Sequence, residues 1–334
     1  MTIEIQSARF DDFEEFGAAF CDSGWENDYL QLERGRFRGQ MLFTGSDSFQ
    51  VSRYHWQKKL RHIGLQPKGT IVLGVTLSQQ GNVGTYLGAP IALDTVIAQG
   101  DQAELEIISA PMWDTAALVI PESEFADQME ALTQRAPESP MKLRGLARLP
   151  GPQSARLRQE CLGYFGVASA LQQSPDLGLP LEAMAADLIS LAIRFVVDSR
   201  IEPEPTPTLH RRVEIIRKAE EFVESFPGRS FRIPDVCRHI GTCERSLRYA
   251  FEDLAGISPA AYLKAHRLSR VHSALLEADS SETLVKAIAY EHHFWHLGQF
   301  ARDYRLAFDE RPSETLARSV GRYASFRADS MLRI

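Results

Sequence analysis

The chain has 334 residues, 44% hydrophobic and 24% charged, an ordinary folded composition, long enough for two domains with separate cores. Disorder, collagen and a membrane span are excluded: the longest apolar stretch, Leu181 to Val197, is broken by Glu182, Asp187 and Arg194 and falls short of the roughly 20 clean apolar residues a span needs. The net charge of −7 is uneven, since residues 1–208 carry 17 Lys+Arg against 27 Asp+Glu and residues 209–334 carry 20 against 17.

An acidic part joined to a mildly basic one fits separate sensing and nucleic-acid-binding domains, and equally fits surfaces of different ancestry. The start, Met1-Thr2-Ile3-Glu4, shows no secretory leader. Cys21, Cys161, Cys237 and Cys243 form no CxxC pair and read as apolar fillers in a reducing compartment. The expectation is a cytoplasmic protein without membrane attachment.

From residue 36 to about 124, short β-rich runs (Met41 to Phe43, Phe49 to Tyr54, Thr70 to Leu77, Thr95 to Ala98, Leu105 to Ile108) alternate with turn signals. The turns are Pro67-Lys68-Gly69, Gln80-Gly81-Asn82, Gly88-Ala89-Pro90 and Gln99-Gly100-Asp101, and the pattern predicts a sandwich or barrel. In Arg53-Tyr54-His55-Trp56-Gln57, Tyr54 and Trp56 share one face and His55 the other. Tyr54, Trp56, Trp113 and Trp25 are candidate aromatic walls of a small-molecule pocket, with Arg53 or His55 as polar handles; strand aromatics also commonly form core. At most one of these faces lines a cavity.

Ser154 to Leu171 and Leu181 to Val197 have helical periodicity. The second puts Met184, Leu188, Leu191 and Phe195 on one side, to serve as a dimer seam or to pack on its own β domain. In Ile201 to Thr208 alternate prolines favour an extended spacer of about 25 Å. The expected organisation is a sensing and dimerisation domain at 1–200, a linker at 201–208, a helical domain at 209–320 and a tail at 321–334.

His210 to Phe226 reads as a helix with Val213, Ile216, Phe222 and Val223 inward, followed by two similar helix pairs. Val236 and Cys237 correspond to Ile288 and Ala289 at a shift of 52, and Leu247 and Phe251 to Phe300 and Tyr304 at a shift of 53. Pro234 suits an early helical position, Gly241 a left-handed turn and Thr242 a cap, which is helix-turn-helix grammar. Ser258-Pro259 opens a long helix to about Glu277 between the pairs.

With Val236-Cys237, Gly241, Leu247, Phe251, Gly256-Ile257-Ser258-Pro259, Tyr262-Leu263, Arg267-Leu268, Ala289, Phe294, Phe300, Tyr304 and Arg311-Pro312-Ser313, the stretch from Leu209 to about Arg318 resembles the AraC/XylS family of bacterial transcription regulators. The run Phe294 to Phe300 resembles the branch of the ethanolamine-utilisation regulator, which implies an amine or related effector. The resemblance implies an α+β chain: an N-terminal cupin-like barrel with two flanking helices, then an all-α domain of two helix-turn-helix units joined by a long helix. It implies an activator of a catabolic operon with double-stranded DNA, a small-molecule effector, RNA polymerase and a second copy of the chain as partners, and no cofactor. The sequence departs from the family at His293 and Asp309, where glycines are usual, so the second turn is expected to be strained.

A recognition helix presents one face to base edges in the major groove. In the first unit that face is Glu244, Arg245, Arg248 and Tyr249; in the second it is His296, Gln299 and Arg302, with Trp295 able to stack on the backbone. Thr242, Ser246 and Lys264 are candidates for phosphate contacts, which position without specifying sequence. Two such helices about 34 Å apart would read successive major grooves.

An enzyme reading finds little support. His292 and His296 have the spacing of a metalloprotease pair, but His293 stands where that motif needs glutamate, so no metal is expected. There is no Walker loop, no GxGxxG and no nucleophile elbow, because Gly84-Thr85-Tyr86-Leu87-Gly88 lacks the serine. The alternative is a DNA-binding protein whose N-terminal part is enzymatic or merely oligomerising.

Overall fold

The computed structural model describes residues 3–19, 24–46, 49–79, 83–100, 104–134, 143–199, 201–202, 207–225, 231–278 and 284–318. Cys21, the Gln80-Gly81-Asn82 turn and the 321–334 tail lie outside them. The N-terminal part runs β1 (Glu4–Phe10), α1 (Phe13–Ala18), β2 (Glu26–Gln31), β3 (Gly39–Ser46), β4 (Phe49–Trp56), β5 (Leu60–Leu65), β6 (Thr70–Ser78), β7 (Gly84–Tyr86), β8 (Ala89–Ile91), β9 (Thr95–Gln99), β10 (Leu105–Ile108), β11 (Trp113–Pro121), α2 (Glu122–Thr133), β12 (Arg144–Arg148), α3 (Gly151–Gln173), α4 (Leu181–Asp198) and β13 (Ile201–Glu202). The C-terminal part is helical: α5 (Pro207–Ser225), α6 (Ile233–Ile240), α7 (Glu244–Leu254), α8 (Pro259–Glu277), α9 (Val285–Glu291), α10 (Leu297–Phe308) and α11 (Pro312–Arg318).

The layout is α+β, but the expected barrel does not close. The strands form two sheets, β1-β3-β4-β11-β6-β9-β12-β13 and β2-β5-β10-β7-β8. Alternation, interrupted by a register shift between Asp114 and Thr115 where β11 pairs with β6, gives the larger sheet two buried faces. Its inner face (Tyr54, Trp56, Val72, Ile97, Trp113, Val119) meets Tyr29, Leu60, Tyr86 and Leu105 of the smaller sheet and Phe13 and Phe16 of α1. Its outer face (Val51, Leu73, Val75, Leu118, Ile120) packs under Leu157, Tyr164 and Phe165 of α3 and Leu188, Ile189 and Ile193 of α4. Each such fully buried side chain contributes ~1.5–3 kcal/mol. Leu188 and Phe195 are buried there and Met184 and Leu191 partly so, so the α4 stripe packs on its own β domain.

Two expectations are corrected. Ile201 and Glu202 of the linker pair with Ala147 and Leu146, and Pro207 opens α5 with Thr208. Proline at alternate positions is compatible with an edge strand and with a first helical turn, so only 203–206 remain between elements, and these lie outside the described residues. Nor are there two separate cores. Phe13 stacks on His272 of α8 at 5.2 Å and on Phe308 of α10 at 6.0 Å, and Leu30, Leu32 and Ile108 join the core of α5 and α7. The helical units have apolar backs that need cover, and the smaller sheet with α1 provides it.

Candidate nucleic-acid interface

In the first helix pair, α6 ends at Gly241, whose φ of +67° suits glycine and whose missing Cβ would meet nothing within 4 Å. The residue capping α7 is Cys243 rather than Thr242, whose backbone N–H instead donates to the Cys237 carbonyl (3.0 Å) to close the turn. Cys243 is exposed, unlike the apolar filler expected. Hydrogen bonds from the Ser246 hydroxyl (3.2 Å) and from backbone amides of the first turn hold its thiol below the usual range. Leu247, Ala250, Phe251 and Leu254 face inward, leaving Glu244, Arg245, Arg248 and Tyr249 exposed and Ser246 half-buried. The Arg245 and Arg248 guanidiniums lie 5.4 and 5.6 Å from the Tyr249 ring, so the two cations are gathered over one aromatic surface.

The second pair repeats the arrangement without its glycines. His293 has φ +67° and Asp309 φ +59°, the left-handed conformations expected where glycine is replaced. The chain leaves the helix between His292 and His296: His292 ends α9 and His296 precedes α10, so these two histidines share no helix face. Phe300, Tyr304 and Phe308 are buried, while His296, Gln299 and Arg302 are exposed. Trp295 is 48% exposed and stacked on Tyr290 at 5.6 Å. Lys264, expected on phosphate, is ion-paired with Asp303 at 2.6 Å and ties α8 to α10.

Helices α7 and α10 are both held at their C-terminal ends by one part of the N-terminal domain. Helix ends leave unpaired carbonyls. At α10, the Gly35 N–H donates to the Ala307 (2.9 Å) and Leu306 (3.2 Å) carbonyls, and Gln31 Nε2 donates to Ala307 (2.8 Å). At α7, Lys59 Nζ donates to the Ala255 carbonyl (3.0 Å). The two clamps are themselves joined, because Leu32 N–H donates to the Lys59 carbonyl (2.9 Å) and Lys59 N–H to Glu33 Oε2 (3.1 Å).

Ion pairs surround these clamps. Arg270 is bidentate on Asp28 (2.9 and 2.7 Å), Arg217 pairs with Glu104, and buried Arg61 lies 3.2 Å from Glu106 and 3.0 Å from Glu220. Asp12, which caps α1, contacts His272 Nε2 (2.8 Å) and Arg318 (2.9 Å), and His272 Nδ1 meets the Tyr304 hydroxyl (2.7 Å). Burial pushes the Asp12 carboxyl up, but His272, Arg318 and the Glu14 amide overcome it and hold the pKa at about 2. Asp12, His272 and Glu310 could together hold a metal ion, but Arg318 already contacts both carboxylates, at 2.9 and 2.8 Å. Of these residues the sequence offered only the charge asymmetry between the two parts as a signal.

The candidate effector residues divide as the alternation requires. Tyr54, Trp56 and Trp113 are buried between the sheets, with Trp56 stacked on Trp113 (6.2 Å) and donating to Ser109 (2.9 Å). Phe16 of α1 packs against Tyr54 and Trp56, filling the space a ligand would need. Trp25 is also buried. Arg53 and His55 face the opposite side and line an open groove.

A family model described as a helix-turn-helix domain matches residues 236–318. A probable thc operon regulatory protein of Rhodococcus erythropolis is 34% identical over 147 residues, 44% of this chain and 43% of that protein. The XylDLEGF operon transcriptional activator of Pseudomonas putida is 32% identical over 96 residues, 29% of this chain and 30% of that one. The chain thus spans less than half the length of these curated relatives. Among solved structures, a probable AraC family transcriptional regulator from Rhodopseudomonas palustris is 38% identical across 32% of this chain and 97% of its own, with a TM-score of 0.28. ToxT from Vibrio cholerae covers 96% of this chain and 98% of its own at 13% identity and a TM-score of 0.32.

Proposed function

We propose that this chain, whose C-terminal domain is the double helix-turn-helix domain of the AraC/XylS family, is a sequence-specific DNA-binding regulator that activates an operon in response to a small metabolite. The observation that carries the reading is the pair of exposed recognition faces, Glu244, Arg245, Arg248 and Tyr249 on one helix and His296, Gln299 and Arg302 on the other. Arginine reads guanine through two parallel hydrogen bonds and glutamine reads adenine, so each face has base-reading chemistry. Thr242, Ser246 and Trp295 fit contacts to phosphate and sugar, and Lys264 reaches phosphate only by exchanging Asp303 for it.

The clamps on both helix ends support a regulatory role for the N-terminal domain. A spacing between two reading heads fixed by the β2–β3 and β4–β5 connections changes when those connections move, which is the differential contact an effector needs to shift a population. The proposal includes a homodimer on adjacent half-sites and contact with RNA polymerase. A catabolic target and an amine effector rest only on the resemblance of residues 294–300.

The test is fluorescence anisotropy of the purified chain on fragments from upstream of its own and adjacent genes across a salt series. Expected is saturable binding to one fragment, with log K falling by about 0.9 per phosphate neutralised. Arg302→Ala should cost about 1–3 kcal/mol and relax specificity at one position. Equal weak binding to every fragment, unchanged in Arg302→Ala, overturns the reading.

A further inference from the structure

The outer face of the eight-stranded sheet changes character along its strands. Under α3 and α4 its cross-strand rows are apolar, as in the neighbours Val51, Leu118 and Leu73. Two rows further along, the aligned residues are Arg9, Gln40, His55, Asp114 and Ser78, one from each of five adjacent strands, Ser78 coming opposite Asp114 through a register shift between Asp114 and Thr115. Side chains aligned across neighbouring strands share a face, so this is a continuous polar band on an otherwise apolar surface. Between the two regions Arg53 aligns with Leu42, and Leu42 with Ser7. The last turn of α3 supplies a wall through Ser169, Gln172 and Gln173, and the open groove has a volume of about 910 Å³.

We propose that this groove binds a small organic carboxylate, held by Arg53 and Arg9. Arg53 is already oriented: its Nε and Nη2 donate to the two oxygens of Asp114 (2.9 and 2.8 Å), and Asp114 is buried. The guanidinium is thus fixed in the wall with Nη1 making no hydrogen bond among the described residues. A guanidinium oriented before the ligand arrives loses little freedom on binding and matches a carboxylate. With Arg9 the groove carries two guanidiniums against the one carboxylate of Asp114, so it favours an anion over an amine cation. His55, Gln40 and Gln172 offer polar contacts for hydroxyl or amino substituents. The volume lies within the range of small-molecule sites, and the inter-sheet space is filled by Phe16, Trp56 and Trp113.

The proposal rests on the N-terminal domain being the sensor, and its test needs no DNA. The full chain is titrated by calorimetry with acetate, lactate, succinate, malate and glutamate, with ethanolamine and sulfate as controls at matched ionic strength. At least one acid should saturate at millimolar concentration, with affinity at least about tenfold lower in Arg53→Gln and in Arg9→Gln. Arg9 is exposed, so its variant reports on binding even if Arg53→Gln disturbs Asp114. Saturation by none of the acids, equal affinity in Arg9→Gln, or equal binding of ethanolamine or sulfate overturns it. Anisotropy on DNA without acid reports separately on the regulator reading, so either can fail alone.

Discussion

Glu14 gives the contact between the two parts of the chain a pH dependence of defined sign. It lies in the first turn of α1, and its carboxylate accepts from the Ser273 hydroxyl of α8. Asp12 faces it from its own element, Asp28 from β2, and His272 and Arg270 from α8. Burial raises its pKa from 4.5 to about 7; Asp12 and Asp28 add to the rise, and Ser273 and His272 oppose it. Below 4.5 both folded and unfolded chains hold the proton and nothing is lost. As pH rises toward 7 the unfolded chain ionises first, so the folded state loses stability until its own carboxyl ionises. At ~1.4 kcal/mol per tenfold the loss is about 3.4 kcal/mol at pH 8, and residual solvent contact brings it to about 2–3. Glu14→Gln keeps an acceptor for Ser273 and removes the charge. It should stabilise the chain by about 2–3 kcal/mol at pH 8 and by less than about 1 kcal/mol at pH 5. Urea unfolding at the two pH values measures this, and a change that is equal at both, or destabilising at pH 8, refutes the reasoning.

Asp12→Asn works in the opposite direction. Its carboxyl is held at about 2 against an ordinary 3.8, so the charge contributes about 2 kcal/mol at pH 7 that fades as pH falls through 4 toward 2, and denaturant titrations should show the variant's deficit shrinking over that window. Trp56→Ala should cost about 3–5 kcal/mol in unfolding free energy, because Trp56 is core packed on Phe16 and Trp113; a cost under 1 kcal/mol would mean that the inter-sheet space is a cavity. Gly241→Ala should cost about 1 kcal/mol by chemical denaturation, from backbone strain alone, since among the described residues beyond its own chain neighbours nothing lies within 4 Å of the added Cβ. Lys59→Met removes the donor to Ala255 and should raise amide hydrogen exchange at the end of α7, with about 1 kcal/mol lost locally; unchanged exchange there would remove Lys59 from the clamp.

The helix-turn-helix units were legible in the sequence because their determinants are local. Pro234, Gly241 and the apolar spacing of Leu247, Phe251, Phe300 and Tyr304 act within one turn and its flanking helices. The left-handed residues His293 and Asp309 were readable from the glycines they replace. Five strands, β3, β4, β6, β9 and β10, were legible for the same reason, but β5, β7, β8 and β11 in the same region and β1, β2, β12 and β13 outside it were not, and Ala89-Pro90, read as a turn, belongs to β8. Most of these strands are fixed by pairing with strands distant in sequence rather than by a local pattern. Composition showed an acidic and a basic part without showing that Asp12, Asp28 and Glu104 meet His272, Arg270 and Arg217.

Only the tertiary structure decided the rest. The alternation of Tyr54, His55 and Trp56 established two faces, but which face is sealed depends on Phe16 arriving from α1, a contact across about 40 residues. Capping a helix C-terminus requires only a donor at the right place, and any chain segment can supply one, so nothing near α7 or α10 in sequence points to Lys59, Gln31 or Gly35. Local steric and hydrogen-bonding preferences are carried by a residue and its near neighbours. Domain closure depends on which surfaces meet, and that is a property of the folded chain alone.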